Sequence, residues 1–261
     1  YGVVPDDDEE LFDEIVDLCE WPEPIVGSIP EDALALPEAI IITPMKVHQR
    51  YIPLREKDGR LSKYFIAVAN GQHDAEGLDI IRVGNERVLN ARLRDARYFW
   101  DTDTKTPLSK FAEGLSRVVF HQKLGSVADK IERLRRLYVV LKPSLPRVDE
   151  AKIQQTLTLM KADLTTQMVF EFDSLEGAVG KLYAQNEGLD QEVADAILEH
   201  RLPRRAGDGL PAGTLGVVAG VLDRVDTLAG YFGIGIRVKG TSDPTGLRRN
   251  ALALLSILSS V

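Results

Sequence analysis

The chain has 261 residues, of which 44% are hydrophobic, 28% charged and 7% aromatic, the balance of a folded globular protein rather than a disordered one. No stretch approaches the ~18 consecutive apolar residues of a spanning helix. A single cysteine, Cys19, excludes an internal disulfide and any zinc centre built on several thiolates. The net charge of −8, from 32 basic and 40 acidic residues, argues against a sequence-blind nucleic-acid binder but leaves room for a local basic patch. One cysteine and no secretory leader fit a reducing cytoplasm. A start at Tyr1 rather than Met fits a processed product or a piece of a longer chain.

In chain order, the first hundred residues mix strand and helix signals. Asp6, Asp7, Asp8, Glu9 and Glu10 form an acidic run expected to be a solvated, frayed end. Leu11 to Cys19 suits a short helix or strand. Pro22, Pro24 and Pro30 punctuate the next stretch, with Ile25-Val26 a short strand between them. Ala39-Ile40-Ile41-Ile42 is a compact β-branched run. Tyr51–Leu54 and Tyr64–Ala69 flank Lys57-Asp58-Gly59-Arg60, and Asp-Gly between such runs predicts a hairpin. Asn70-Gly71 ends the second strand, and 72–77 reads as a polar loop.

From about Asn85, which can cap a helix, the period becomes helical, with Leu89, Leu93, Ala96 and Trp100 on one stripe. Thr106-Pro107 predicts an N-cap followed by proline. Ser126 with Asp129 resembles a capping box before Ile131, Leu134 and Leu141. Asp149 can cap a long helix carrying Ile153, Leu157, Met160, Leu164 and Met168. Ser174 and Asp190 can each open another. Leu215, Val218, Leu222, Val225, Ala229 and Phe232 form a long stripe expected to be buried. Asp243-Pro244 opens a last helix with Leu247, Ala251, Leu254 and Leu258 facing inward.

The chemistry these residues support is limited. There is no phosphate-binding glycine loop with Lys-Ser/Thr, no dinucleotide fingerprint and no nucleophile elbow. His121, Asp163, His200 and Asp226 are spaced as a metal-dependent phosphohydrolase would gather them from several helices, or are capping and surface groups. Asp163 follows Ala162, so a His-Asp pair is lacking there. Asp223 and Asp226 share a helix face, read as a polar face against a neighbouring helix end. Arg82, Arg87, Arg92, Arg94 and Arg97 crowd one segment, and Arg87, Arg94 and Tyr98 lie away from the apolar stripe. Such a face holds phosphates and stacks on bases, or is simply solvated. Smaller basic clusters are Lys46-His48-Arg50, Arg204-Arg205, and Lys239 with Arg248 and Arg249. Thr241 and Ser242 beside a helix start suit an anion or a plain cap.

Taken in order, the motifs resemble one family, the beta subunit of the bacterial-type heterotetrameric glycyl-tRNA synthetase. The resemblance runs through Glu20-Trp21-Pro22, His48-Gln49-Arg50-Tyr51, Tyr64 to Asn70, Gly84-Asn85-Glu86-Arg87-Val88-Leu89, Lys105-Thr106-Pro107-Leu108 and Lys123-Leu124-Gly125. It continues through Asp163-Leu164, Met168 to Phe172, Pro203-Arg204, Ala206-Gly207-Asp208, Asp226 to Gly230 and Asp243-Pro244 with Leu247-Arg248-Arg249. The chain departs from the family at 138–158, where Pro143 and Pro146 interrupt a region normally helical.

The resemblance implies a central fragment of that subunit. Glycine activation with ATP and Mg belongs to the alpha subunit, so this chain is expected to bind no cofactor or metal of its own and to carry no catalytic residue. Its helical part resembles an HD-type phosphohydrolase fold without the metal ligands. The expected fold is α+β, with a mixed α/β part over 1–104 and an all-helical, HD-like domain over 105–261. The expected partners are the alpha subunit and tRNA(Gly), with no membrane, in the cytoplasm. The expected tRNA-binding residues are Arg82, Arg87, Arg94, Arg97, Arg204, Arg205, Arg248 and Arg249. A metal-dependent nucleotide phosphohydrolase is the alternative, and a structural spacer a third reading.

Overall fold

The computed structural model describes residues 2–205, 207–238 and 243–260. Two units divide the chain, residues 1–102 and 103–261. The fold is α+β, with a small sheet in the first unit and a mostly helical second unit.

The first unit comprises β1 (Val4–Pro5), α1 (Glu9–Leu18), β2 (Pro22–Ser28), α2 (Glu38–Thr43), β3 (Ile52–Arg55), β4 (Leu61–Asn70) and α3 (Ala75–Asp103). The four strands form one antiparallel sheet in the order β1-β3-β4-β2. The Asp-Gly hairpin forms as expected, with Gly59 at φ 87 closing the turn from β3 to β4. Gly27 pairs with Phe65 across β2 and β4, and a side chain at Gly27 would run into the Phe65 ring. That close approach lets Phe65 bury fully and stack on Tyr51, with centroids 4.8 Å apart.

The prolines do not confine β2 to Ile25-Val26. The strand takes in Pro22 and Pro24 because it lies at the sheet's edge, where a missing N–H breaks no ladder bond. The backbone N–H of Ser28 donates to Glu86 Oε1 of α3 at 2.8 Å.

Several local expectations change. The acidic run is not a frayed end: Asp8 caps α1 by accepting from the Leu11 amide, and Asp6 pairs with Lys46 and Arg55. Ala39–Ile42 lies in α2, which begins right after Pro37 and runs into a π-type turn over Pro44–His48. β-Branched residues tolerate this because Ile40 and Ile41 are fully buried, and packing outweighs local preference. Helix α3 starts at Ala75, ten residues before Asn85, so 75–77 is helix and Asn85 is no cap. Asn85 sits mid-helix, donating to the Ile81 carbonyl at 3.0 Å and accepting from Tyr51 Oη at 2.7 Å. Leu89, Leu93 and Ala96 are buried as the stripe requires.

The second unit comprises α4 (Leu108–Glu113), β5 (Val119–His121), β6 (Gly125–Ser126), α5 (Val127–Leu141), α6 (Glu150–Leu159), α7 (Gln167–Glu171), α8 (Ala178–Asn186), α9 (Gln191–Glu199), α10 (Thr214–Gly233) and α11 (Leu247–Leu258). It is not all-helical: β5 and β6 form a two-stranded antiparallel hairpin, turned by Gly125 at φ 83. Val119-Phe120 supplies the strand-forming pair, and a hairpin this short leaves no alternation to read.

The capping box of α5 is complete, with Ser126 Oγ accepting from the Asp129 amide and Asp129 accepting from the Ser126 amide. Asp149 caps α6 and Asp190 caps α9. The long helix expected over 149–168 breaks after Leu159 into a 3₁₀ turn at Ala162–Thr165 and then α7. Ser174 caps nothing; α8 opens instead after Gly177 at φ 85. Thr106 is displaced as a cap, since α4 begins at Leu108 behind Pro107, its first amide donating to Glu187. In α11 the inward residues are Leu247, Ala253 and Ile257, whereas Leu258 is exposed. Among the described residues no helix is long and apolar enough to cross a membrane.

Candidate functional site

The chemistry-bearing side chains of the second unit converge on one cleft of about 490 Å³. Its wall includes Lys130 of α5, Lys161 beside the 3₁₀ turn, His200 and Arg201 at the end of α9, and Asp223 and Arg224 of α10. Arg204 and Arg249 also line it.

At its centre Asp223 lies between two ammonium groups. Lys130 Nζ is 3.1 Å from Asp223 Oδ1 and Lys161 Nζ is 3.2 Å from Asp223 Oδ2. Lys130, only 2% exposed, also donates to the Asp223 carbonyl (3.0 Å), Asp226 Oδ2 (3.1 Å) and Thr227 Oγ1 (2.8 Å). Its charge lies over the Phe120 ring at 4.7 Å. Arg133 grips Asp226 with two parallel bonds, Nε to Oδ1 at 2.7 Å and Nη2 to Oδ2 at 3.1 Å. Burial alone would raise the Asp223 carboxyl, but Lys130 and Lys161 hold it well below the usual carboxylate range.

His200 is 0% exposed. Its Nδ1 lies 2.7 Å from the Ile197 carbonyl, which must receive a proton from that nitrogen. Nε2 is therefore the acceptor, and it takes a hydrogen bond from Lys161 Nζ at 3.0 Å. Burial first, and then the Lys161 charge, push the imidazole down to about 3. Burial also lowers Lys161, to about 8. The unfolded chain takes up a proton on this imidazole near pH 6.5 and the folded chain does not. Stability is therefore full above pH 6.5 and falls as the pH drops, by about 2 kcal/mol at pH 5. Denaturant titrations of the parent and of His200→Gln between pH 7 and 5 check this. The parent should lose stability with acid and the variant much less; parallel slopes would exclude His200 as the source.

The metal-site candidates are each taken by another partner. Asp163 Oδ2 accepts from the Gly177 amide at 2.6 Å and the Gly180 amide at 3.2 Å, anchoring α8. His200 holds Lys161, Asp226 holds Lys130 and Arg133, and the His121 ring packs edge-on to Tyr231. Among the described residues no three His, Cys, Asp or Glu side chains are grouped to hold a metal. Asp223 and Asp226 do not form a plain polar face against a helix end, because they are the counter-charges of buried lysines.

The expected arginines are divided between the two units. Arg82, Arg87, Arg94 and Arg97 lie along α3 in the first unit. Arg82 is bonded to Asp79 and Glu86, and Arg97 to the Asp32 carbonyl. Arg87 and Arg94 are exposed and pair with no carboxylate among the described residues, and Tyr98 on the same face is 62% exposed. In the second unit Arg204 and Arg249 line the cleft. Arg205, which pairs with Asp208, and the exposed Arg248 do not. Lys239, Thr241 and Ser242 lie outside the described residues.

Sequence reasoning missed Lys130, Lys161, Arg201 and Arg224. One signal was available: Lys130 falls among Val127, Ile131 and Leu134 on the buried face of α5, a place where lysine needs a partner.

The glycyl-tRNA synthetase beta subunit family model matches residues 1–261, the whole chain. The chain belongs to that family. The glycine–tRNA ligase beta subunit of Desulforamulus reducens is 45% identical over 259 residues, covering 98% of this chain and 37% of that relative. The beta subunit of Clostridioides difficile is 47% identical over 252 residues, 96% of this chain and 36% of its own. That of Synechocystis sp. is 41% identical over 251 residues, 95% and 34%. The chain thus spans about a third of the length of these curated relatives. In this member of the glycyl-tRNA synthetase beta subunit family, His200 is engaged by Lys161, and Asp226 by Lys130 and Arg133.

Proposed function

We propose that this chain is a part of the beta subunit that helps hold tRNA(Gly) for ATP-dependent glycylation carried out with an alpha subunit in a heterotetramer. In this reading the alpha subunit binds ATP and Mg and performs the chemistry in the cytoplasm, and this chain contributes no catalytic group. The helical unit is read as an HD-type fold turned from metal chemistry to scaffolding. Family membership over the whole chain carries the proposal. The pair Arg87 and Arg94, one heptad apart on an exposed face of α3 with Tyr98, gives it a physical means. Guanidinium groups take phosphate oxygens through two parallel bonds, and an aromatic ring stacks on a base. Arg82 and Arg97, engaged within their own unit, contribute less.

The test is charge reversal, Arg87→Glu with Arg94→Glu, in the assembled enzyme. Affinity for tRNA should fall about ten-fold or more at low salt, and the salt slope should flatten by about one to two units. ATP–pyrophosphate exchange without tRNA should be unchanged. Unaltered tRNA affinity and slope would return this face to a solvated surface, and loss of exchange would make it a contact with the catalytic subunit. The phosphohydrolase alternative is not favoured, because its donor residues are engaged by lysine, arginine and backbone amides.

A further inference from the structure

The cleft of the second unit carries more positive charge than its own carboxylates offset. Lys130, Lys161, Arg201, Arg204, Arg224 and Arg249 line it, against Glu176 and Asp223. Asp223 is shared by Lys130 and Lys161, and Glu176 is held by Arg201. Arg224 and Arg249 have no ion-pair partner among the described residues.

Arg224 is the decisive member. It is 3% exposed, yet only carbonyl dipoles hold its guanidinium. Nη1 donates to the His200 carbonyl at 2.7 Å and the Gly220 carbonyl at 3.1 Å. Nη2 donates to the carbonyls of Arg201, Leu202 and Pro203 at 3.0, 2.7 and 3.2 Å. Its Nε is buried with no partner. Carbonyls satisfy N–H groups without cancelling a unit charge, and a buried charge is costly until an opposite charge is brought near. The Nε of Arg201 is likewise buried without a partner. Lys161 spends two of its three protons on His200 and Asp223 and keeps one.

We propose that this cleft is a binding site for one phosphoryl group. Lys161, with one proton uncommitted, and the arginines Arg201, Arg224 and Arg249 line a space large enough for a phosphate or a nucleoside monophosphate. A tetrahedral oxyanion accepts bonds from several directions at once, which suits donors spread over separate elements better than a planar carboxylate does. The group comes either from a free nucleotide or from an RNA backbone. The site is independent of the α3 face and its test needs neither that face nor an alpha subunit.

Calorimetric titration of the protein with inorganic pyrophosphate, with AMP and with a short RNA hairpin tests the proposal. Saturable binding of pyrophosphate at one site per chain is expected. Arg249→Ala and Lys161→Met should each weaken it at least about ten-fold. Displacement of the hairpin by pyrophosphate would place an RNA phosphate in the cleft; saturable AMP binding without hairpin displacement would place a free nucleotide there. Absence of saturable pyrophosphate binding at millimolar concentration would overturn the proposal. So would equal affinity in Arg249→Ala, an exposed position where loss of folding is not at issue even should Lys161→Met fail to fold.

Discussion

Replacing Lys130 by methionine should destabilise the second unit by about 3–5 kcal/mol, the cost of removing one member of a buried ionic cluster. The methionine stem fills much the same space, so the loss is chiefly electrostatic. Asp223 would keep Lys161, and Asp226 would keep Arg133, but both would lose a charge-assisted bond in largely buried surroundings. The Asp223 carbonyl and Thr227 Oγ1 would also lose their donor. Urea denaturation of parent and variant measures the effect. Adding Asp226→Asn to Lys130→Met should cost less than the sum of the single changes, because each removes the other's partner. A shift below about 1 kcal/mol in the single variant, or simple additivity in the pair, would mean that the cluster does not hold α5 to α10.

Leu222→Ala is expected to cost about 2–5 kcal/mol. Leu222 is 0% exposed on α10, which packs against α5, α6, α9 and α11. With neighbours on so many sides the helix cannot close over a lost isobutyl group, so the cavity persists. Val225, only half-buried one turn on, should lose less on truncation to alanine. Thermal or chemical denaturation of the two variants checks the order; an unchanged midpoint in Leu222→Ala would contradict the packing of α10.

The same helix shows what was legible in the sequence and what was not. Leu215, Val218 and Leu222 are buried as their spacing requires, but Ala229 and Phe232, on the same stripe, are exposed. Periodicity reports one face of a helix and cannot report where its neighbours end. Features closed within a few residues were readable: the Asp58-Gly59 turn, the Ser126–Asp129 box and the Asp149 and Asp190 caps. The start of α8 was not, since no side-chain cap marks it, and the start of α3 was missed although Asp74 caps it by accepting from the Gly77 amide at 2.8 Å. The cleft was hidden for a stronger reason. Lys130 meets Asp226 across 96 residues and Lys161 meets His200 across 39, so the apolar neighbours of Lys130 show that it needs a partner but the local sequence names neither partner. The arginines of α3 were visible as a group, but which of them stay unpaired depends on Asp79, Glu86 and the Asp32 carbonyl, the last of these 65 residues from Arg97.

The edge strand β2 restricts how other chains can approach the first unit. The amide of Ile29 donates to the Lys63 carbonyl of the neighbouring β4, so by alternation Pro22, Pro24, Val26 and Ser28 point their nitrogens outward. Two of these have no N–H, and that of Ser28 is taken by Glu86. The opposite edge, β1, is two residues long and ends in Pro5. Neither margin offers the run of free amides that strand capture by a foreign peptide or a second copy requires. This sheet is thereby guarded against edge-to-edge aggregation, and any subunit that docks on it must do so through side chains rather than by main-chain pairing.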